Sequence, residues 1–481
     1  MADCHDHFDP CKFATGLVVE AIIIQFILIT LARARKGTCF SMPKIMKKIY
    51  ALLYIVLLSN SVSAQNTDTL TKGFSLHFQQ TIITQYKPSF HAAYNGLNSL
   101  SAGSETHSSI TSTLYGAIRL WPGATAVFNP ELSGGSGLSQ TRGIAGFPNG
   151  ETFRVNSVAP AIYIARLYLN QTLQWGKEKD TLVDKANQIS GLRSKRYLSI
   201  TAGKFGMADY FDNNSFSHDP RSQFLNWALM DNAAWDYPAN TRGYVIGLAA
   251  ELGQPNWTLR YAVTMSVTEA NSSIWDSNID KANTHTLEFE KRYQFHSRQG
   301  TFRILTFLNN GKMGKYREAI QENALLPNVD AVQRDGHFKY GFAINGEQEI
   351  SENFGVFAKA SLNDGKAQTW YFTEIDRSLS FGGILKGSKW NRKDDEMGLA
   401  FVGNGLSEDH RNYLAAGGYG FMIGDGRLSY APELIAEVYY KLNAYQKKLW
   451  LSPDFQFIVH PAYNRERGPV NVLGIRAHVE F

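Results

Sequence analysis

Arginine and glutamate recur through this chain of 481 residues at positions whose neighbours alternate between apolar and polar. Arg119, Arg166, Arg242, Arg260, Arg303 and Arg476 stand against Glu131, Glu251, Glu288, Glu433 and Glu437. Read as strands, these stretches put the charges on one face and the apolar side chains on the other. Both signs in comparable number make a surface rich in hydrogen-bonding groups with little net field. Such a surface suits a neutral, hydroxyl-rich solute better than an ion. Two irregular segments hold a second set of candidates. Segment 131–158 carries Arg142, Phe147, Asn149, Glu151 and Arg154 among glycines, which let a loop fold tightly. Segment 207–240 carries His218, Asp219, Arg221, Asn226, Trp227, Asp231 and Trp235, a mixture able to grip a polar ring or to brace a loop.

Other motifs point to less. His218-Asp219, with Ser217 and Ser222 nearby, invites a hydrolytic reading, but a triad is defined by geometry and not by sequence neighbours. Asp394-Asp395-Glu396 lacks the regular oxygen-ligand spacing of a calcium loop. Gly424-Asp425-Gly426 is a hairpin-type turn signal and not a phosphate cradle. Cys4, Cys11 and Cys39 all precede residue 65, so the remainder has neither disulfides nor thiolate metal sites. No catalytic residue, metal or cofactor is expected. The 48 Lys and Arg exceed the 43 Asp and Glu only slightly, and part of that excess also precedes residue 65. Nucleic acid is not an expected partner.

The elements that must position the charged faces are strands of period two. From Trp257 to Val267, Trp257, Leu259, Tyr261, Val263 and Met265 face one way, and Thr258, Arg260, Ala262 and Thr264 the other. Phe338–Glu347, Glu433–Asn443 and Leu449–His460 repeat the pattern. At the end of the chain Leu473, Ile475, Ala477, Val479 and Phe481 oppose Gly474, Arg476, His478 and Glu480. Apolar faces this regular, opposite charged ones, fit strands held between lipid and an aqueous lumen. The expected fold is all-β: a transmembrane antiparallel β-barrel of about sixteen strands. Long connections at about 87–106, 131–158, 207–240, 269–282, 312–336 and 403–430 alternate with short ones, such as Trp121-Pro122-Gly123 and Gly253-Gln254-Pro255. Long external loops and short periplasmic turns give that alternation. Gly176–Ser194 breaks it, a polar stretch where a short turn belongs, and 364–393 shows no clear pattern.

The front of the chain sets an address. Lys44, Lys47 and Lys48, the apolar run Ile49–Leu58 and Val62-Ser63-Ala64 form a secretory signal over residues 42–64, cleaved before Gln65. A signal in mid-chain implies a start at Met42 or Met46 and makes residues 1–41, with the apolar stretch Phe13–Ala32, an upstream extension that the working protein lacks. The alternative is an inner-membrane anchor. Residues 65–481 then form one barrel domain.

Several segments carry a family resemblance. They are Gln85-Tyr86-Lys87-Pro88 with Tyr94–Leu100, Leu120-Trp121-Pro122-Gly123 with Phe128-Asn129-Pro130-Glu131, Gly143–Glu151, Ser217–Trp227, Gly424–Leu428 and Glu437-Val438-Tyr439-Tyr440. In this order they resemble the carbohydrate-selective porins of the OprB type, over about residues 73–481. The resemblance implies a sixteen-stranded pore in the outer membrane of a Gram-negative bacterium, through which mono- or oligosaccharides diffuse. The pore-lining or constriction set is then Arg119, Glu131, Arg142, Asn149, Glu151, Arg154, Arg166, Asp219, Arg221, Asn226, Trp227, Arg260, Glu433, Glu437 and Arg476. Further expected partners are outer-membrane lipid, the barrel-assembly machinery through the strand ending at Phe481 and, by analogy with other sixteen-stranded porins, two more copies in a homotrimer. Two other readings stay open: a barrel enzyme acting on lipid or polysaccharide, and a structural or adhesive barrel with a plugged lumen.

Overall fold

A strand with one apolar face in lipid can satisfy its backbone only by pairing along both edges, which a closed sheet achieves. The computed structural model describes residues 72–152 and 158–481 and contains such a sheet, sixteen antiparallel strands in sequence order. They are β1 (Phe74–Lys87), β2 (Glu105–Arg119), β3 (Ala124–Gly135), β4 (Ala161–Leu182), β5 (Gly191–Phe205), β6 (Val245–Gln254), β7 (Trp257–Met265) and β8 (Asn283–Phe295). The second half comprises β9 (Arg298–Gly311), β10 (His337–Ser351), β11 (Phe354–Asn363), β12 (Arg377–Lys386), β13 (Glu396–Gly405), β14 (Glu433–Tyr445), β15 (Leu449–Val459) and β16 (Val470–Glu480). The last strand closes on the first, with Gln79 opposite Glu480 and Tyr86 opposite Leu473.

Side-chain direction follows the expected parity. On β10, Phe338, Tyr340 and Phe342 are exposed on the outer face, while Lys339, Asn345 and Glu347 are buried inside. On β16, Leu473 and Ile475 point out, and Arg476 and His478 are buried. This outer face is apolar enough that an arginine there should be costly. Phe342→Arg is expected to destabilise the barrel in lipid vesicles by about 2–4 kcal/mol if the site lies near the bilayer midplane. Urea titration of the vesicle-inserted protein measures it, and an unchanged midpoint would show that this face does not meet lipid.

Eight long connections lie at one end of the barrel: 88–104, 136–160, 206–244, 266–282, 312–336, 364–376, 406–432 and 460–469. The sequence reading misses two of these, 364–376 and 460–469. The unpatterned region 364–393 resolves into a loop, β12 and a turn, its alternation blurred by Gly382-Gly383. Glu131, at the expected junction of strand and loop, lies within β3 on the interior face that its parity predicts, and the loop begins after Gly135. Gly424-Asp425-Gly426 lies within the connection 406–432 and closes no hairpin. Asp395 braces the turn before β13 by accepting from the Tyr440 hydroxyl (2.6 Å) and the Asn443 N–H (2.9 Å). Gly176–Ser194 is a hairpin extension in which β4 and β5 run on toward a tip at 183–190. The expected signal segment, the upstream stretch and Arg154 lie outside the described residues.

The long connections do not all stay outside. Leu138, Ile144 and Phe147 pack with Phe211, Phe224, Trp227, Leu229, Trp235 and Tyr237 and with Trp370, Tyr371 and Phe372 in one apolar cluster, each at most 5% exposed. Three loops therefore keep their apolar side chains from water by turning into the barrel. Gly143 permits one close crossing: its φ is +75°, and a Cβ there would sit 1.9 Å from the Leu100 nitrogen. Loop backbone buried this way has no ladder partner and needs others.

Candidate functional site

Wall charges supply many of those partners. Glu433 on β14 accepts from the backbone N–H groups of Gly146 (2.7 Å), Ala145 (3.0 Å) and Ala462 (2.8 Å). Glu437, four residues further along the same face of β14, accepts from Leu225 (2.5 Å) and Asn226 (2.9 Å). Arg476 on β16 donates to the carbonyls of Pro220 (2.8 Å) and Gln223 (2.6 Å). Lys359 on β11 donates to Ser217 (2.7 Å) and Met230 (3.0 Å). The Asn226 side chain donates to the Gly146 carbonyl (2.8 Å) and Gln456 (2.9 Å), and accepts from Ala228 N–H (3.0 Å) to cap the single turn 227–230. Trp227 stacks on Phe147 at 5.0 Å between ring centres and abuts Tyr237 and Phe372. Five predicted site residues, Asn226, Trp227, Glu433, Glu437 and Arg476, thus meet where loops 136–160 and 206–244 are fastened to the wall.

A second group surrounds Arg221. Its Nε donates to Glu151 (2.8 Å), one Nη to Glu131 (3.0 Å), and the other to Thr113 (3.1 Å) and Gln79 (3.2 Å). One guanidinium thereby joins loop 206–244 to loop 136–160 and to β1, β2 and β3. Glu131 also accepts from the hydroxyls of Tyr163, Tyr244 (3.2 Å) and Thr113 (2.8 Å). Beside it, Arg166 grips Asp209 with two donors (2.7 and 2.5 Å), donates to Asn129 (2.8 Å) and lies over the Tyr244 ring. Arg242 lies over Tyr163. The register shift between Asn129 and Pro130, where proline offers no N–H, leaves Ala165 as an extra residue on β4. That bulge lets Tyr163 and Arg166, three residues apart, share the inner face. Asn149 donates to Ser109 (3.0 Å) and accepts from the Glu151 N–H (3.2 Å). Burial pushes the Glu151 carboxyl above its ordinary value although Arg221 pulls it down. Asp219 goes the other way: the protein packed around it opposes its charge although its side chain still reaches water, and Arg221, through its guanidinium and its backbone N–H at 2.9 Å, holds the carboxyl low. Arg142 lines a small crevice with Phe147, Pro148 and Asn149, its Nε without a hydrogen-bond partner among the described residues.

The remaining predicted residues lie elsewhere. Arg260 on β7 bridges Glu251 (2.5 Å), Glu288 (2.8 Å) and Glu290 (3.0 Å), and Arg303 continues the series to Glu290 (3.0 Å) and Glu347 (3.5 Å). Alternating signs thus run along the wall from β6 to β10. Arg119 sits at the short-turn end and donates to the carbonyls of Lys72 (2.9 Å) and Ser190 (2.8 Å). His218 faces Asp231 through Nδ1 (3.5 Å) and the Ala208 carbonyl through Nε2 (3.0 Å), while Ser217 donates to the Leu229 carbonyl (2.5 Å). These neighbours do not form a nucleophile–base pair. Tyr163, Tyr244 and Glu290 belong to the charged interior but are absent from the predicted set. Parity with Glu288 points to Glu290; Tyr244, in a loop, leaves no periodic signal.

Relatives place this architecture. Porin AaxA of Chlamydia pneumoniae is 22% identical over 287 residues, which make up 59% of this chain and 56% of that protein. The match thus spans little more than half of that relative's length. The solved structure of Pseudomonas putida OprB superposes with a TM-score of 0.63 at 14% identity, covering 85% of this chain and 94% of that one, a likeness of fold. The profile of the carbohydrate-selective porin, OprB family, matches residues 98–481, and the chain belongs to that family.

Proposed function

We propose that this protein is a pore of the Gram-negative outer membrane through which sugars diffuse passively, and that the Arg221 cluster is its selective constriction. The observation that carries the reading is the Arg221 guanidinium, which ties two inward-folded loops to the wall yet keeps a side chain 17% exposed. Around it stand Glu131, Glu151, Arg166 and Arg242 with the phenols of Tyr163 and Tyr244. A neutral polyol can exchange its water for these donors and acceptors, while the mixed signs give little preference to either ion. A passive pore needs no nucleophile and no cofactor. The same reading takes outer-membrane lipid as the solvent of the apolar face. It takes β16 with the adjoining Phe481 as the segment offered to the assembly machinery, and a homotrimer as the assembly, which crosslinking in native membranes tests.

Single-channel recording in a planar bilayer, titrated with mono- and disaccharides, tests the function. Steady openings that a sugar reduces in a saturable way are the expected result. Openings indifferent to every sugar would leave a general pore and overturn the selective site. A folded barrel without openings would overturn transport and return the enzymatic or plugged readings.

A further inference from the structure

The polar stretch that interrupts the loop alternation has a definite place in the fold. Past Trp175, whose partner on β5 is Arg196, the register of β4 shifts, and pairing resumes at Lys179 opposite Ser194. Gly176 sits in that shift with φ +87°, a conformation glycine adopts without strain. Beyond it the hairpin runs on to the tip 183–190, which turns across the inner faces of the neighbouring strands. Asp184 accepts from Lys72 (2.7 Å) and from Ser75 on β1 (2.7 Å), and lies 3.4 Å from His77. The Ser190 carbonyl accepts from Arg119 on β2. Ile189 is buried against Tyr115 and Ala117 of β2 and Val127 of β3, all interior residues. A paired Lys185 and Gln188 close the tip on itself. The tip therefore crosses from the β4–β5 hairpin to β1 inside the mouth at the short-turn end, and His77 and Tyr115, which it meets, are the next inward-facing residues along β1 and β2 from Gln79 and Thr113, the partners of Arg221. Burial works against charge on Asp184, yet the hydrogen bonds of Lys72 and Ser75 keep its carboxyl below the ordinary value.

We propose that residues 183–190 form a second constriction, in series with the Arg221 cluster, and that this tip sets the largest solute able to leave the barrel. The inference rests on the pore reading above. A solute that passes the loops still meets a mouth narrowed on the β1–β3 side by a segment with its own apolar anchor and ionic latch. The tip acts on size, and none of its residues is among the hydrogen-bond partners of the Arg221 guanidinium.

The test replaces residues 183–190 by Asn-Gly, a two-residue hairpin turn joining Leu182 to Gly191. Conductance is expected to rise by about half or more, and the exclusion limit in liposome swelling to move to longer saccharides, because pore cross-section governs both. The half-blocking concentration of a small sugar should stay within about twofold. A folded deletion variant with unchanged conductance and exclusion limit would overturn the proposal. A second variant covers failure of that barrel to assemble: Ser190→Cys, with Cys4, Cys11 and Cys39 changed to Ser. Reaction with a small cationic thiosulfonate should lower single-channel conductance, and no change on complete labelling overturns the proposal. If the wild-type protein itself gives no openings, it is the pore reading that fails.

Discussion

Arg221→Ala is expected to turn the channel toward cation selectivity and to raise the half-blocking sugar concentration about tenfold, equivalent to about 1.4 kcal/mol. The substitution removes one positive charge and leaves Glu131 and Glu151 without their shared counter-ion. Breaking a buried pair in this way costs about 3–5 kcal/mol. Part of that cost is relieved by protonation of Glu151, whose burial already favours the neutral carboxyl. The barrel itself should assemble, since none of its sixteen strand pairings depends on Arg221. Reversal potential in a salt gradient reads the charge effect, and sugar block reads the contact. Arg221→Lys separates the two: it restores a positive charge as a point donor but not the planar fork. Its reversal potential should stay near wild type while sugar block weakens. If Arg221→Ala left both quantities unchanged, Arg221 would not face the solute path.

Glu437→Leu should release the middle of loop 206–244. The carboxylate receives two backbone N–H groups, those of Leu225 and Asn226, and leucine receives neither. An unsatisfied buried donor costs about 1–3 kcal/mol, so two of them should make local opening around Leu225 and Asn226 more frequent although the apolar cluster and the other wall contacts remain. Trypsin added to the folded barrel reads the change. Wild type should resist cleavage after Arg221 and Arg242, and Glu437→Leu should be cut within the loop while the barrel remains intact. Glu437→Gln keeps one acceptor oxygen but turns an amide donor toward the other N–H, so intermediate cleavage is expected. Resistance equal to wild type in Glu437→Leu would show that Glu433, Arg476 and Lys359 hold the loop without it.

These variants separate two kinds of interior charge that look alike in sequence. Glu131 and Glu437 have the same parity and the same chemistry, and both were predicted to line the pore. In the fold, Glu437 is taken up by loop backbone, whereas Glu131 joins a cluster of side chains around Arg221. The difference comes from which loop segment lies against each strand. That depends on contacts between residues hundreds of positions apart, such as Leu225 with Glu437 and Ala145 with Glu433.

The barrel was legible because a strand between two solvents writes its environment into every second residue. Phe338, Tyr340 and Phe342 against Lys339 and Glu347, and Leu473 and Ile475 against Arg476 and His478, needed no structure to be assigned to opposite faces. Most of the alternation of long and short connections was equally local; it failed around Gly382-Gly383, where glycine carries no facial signal, at the missed connection 460–469 and at the extended hairpin Gly176–Ser194. Loop paths carry no such period. That Trp227 would stack on Phe147, that Arg221 would join two loops to three strands, and that the tip at 183–190 would turn into the mouth follow from apolar side chains and backbone groups finding partners across the lumen. Side-chain direction along a strand is set by covalent geometry and is therefore written in sequence. The seating of a loop is set by partners that only the closed barrel brings within reach.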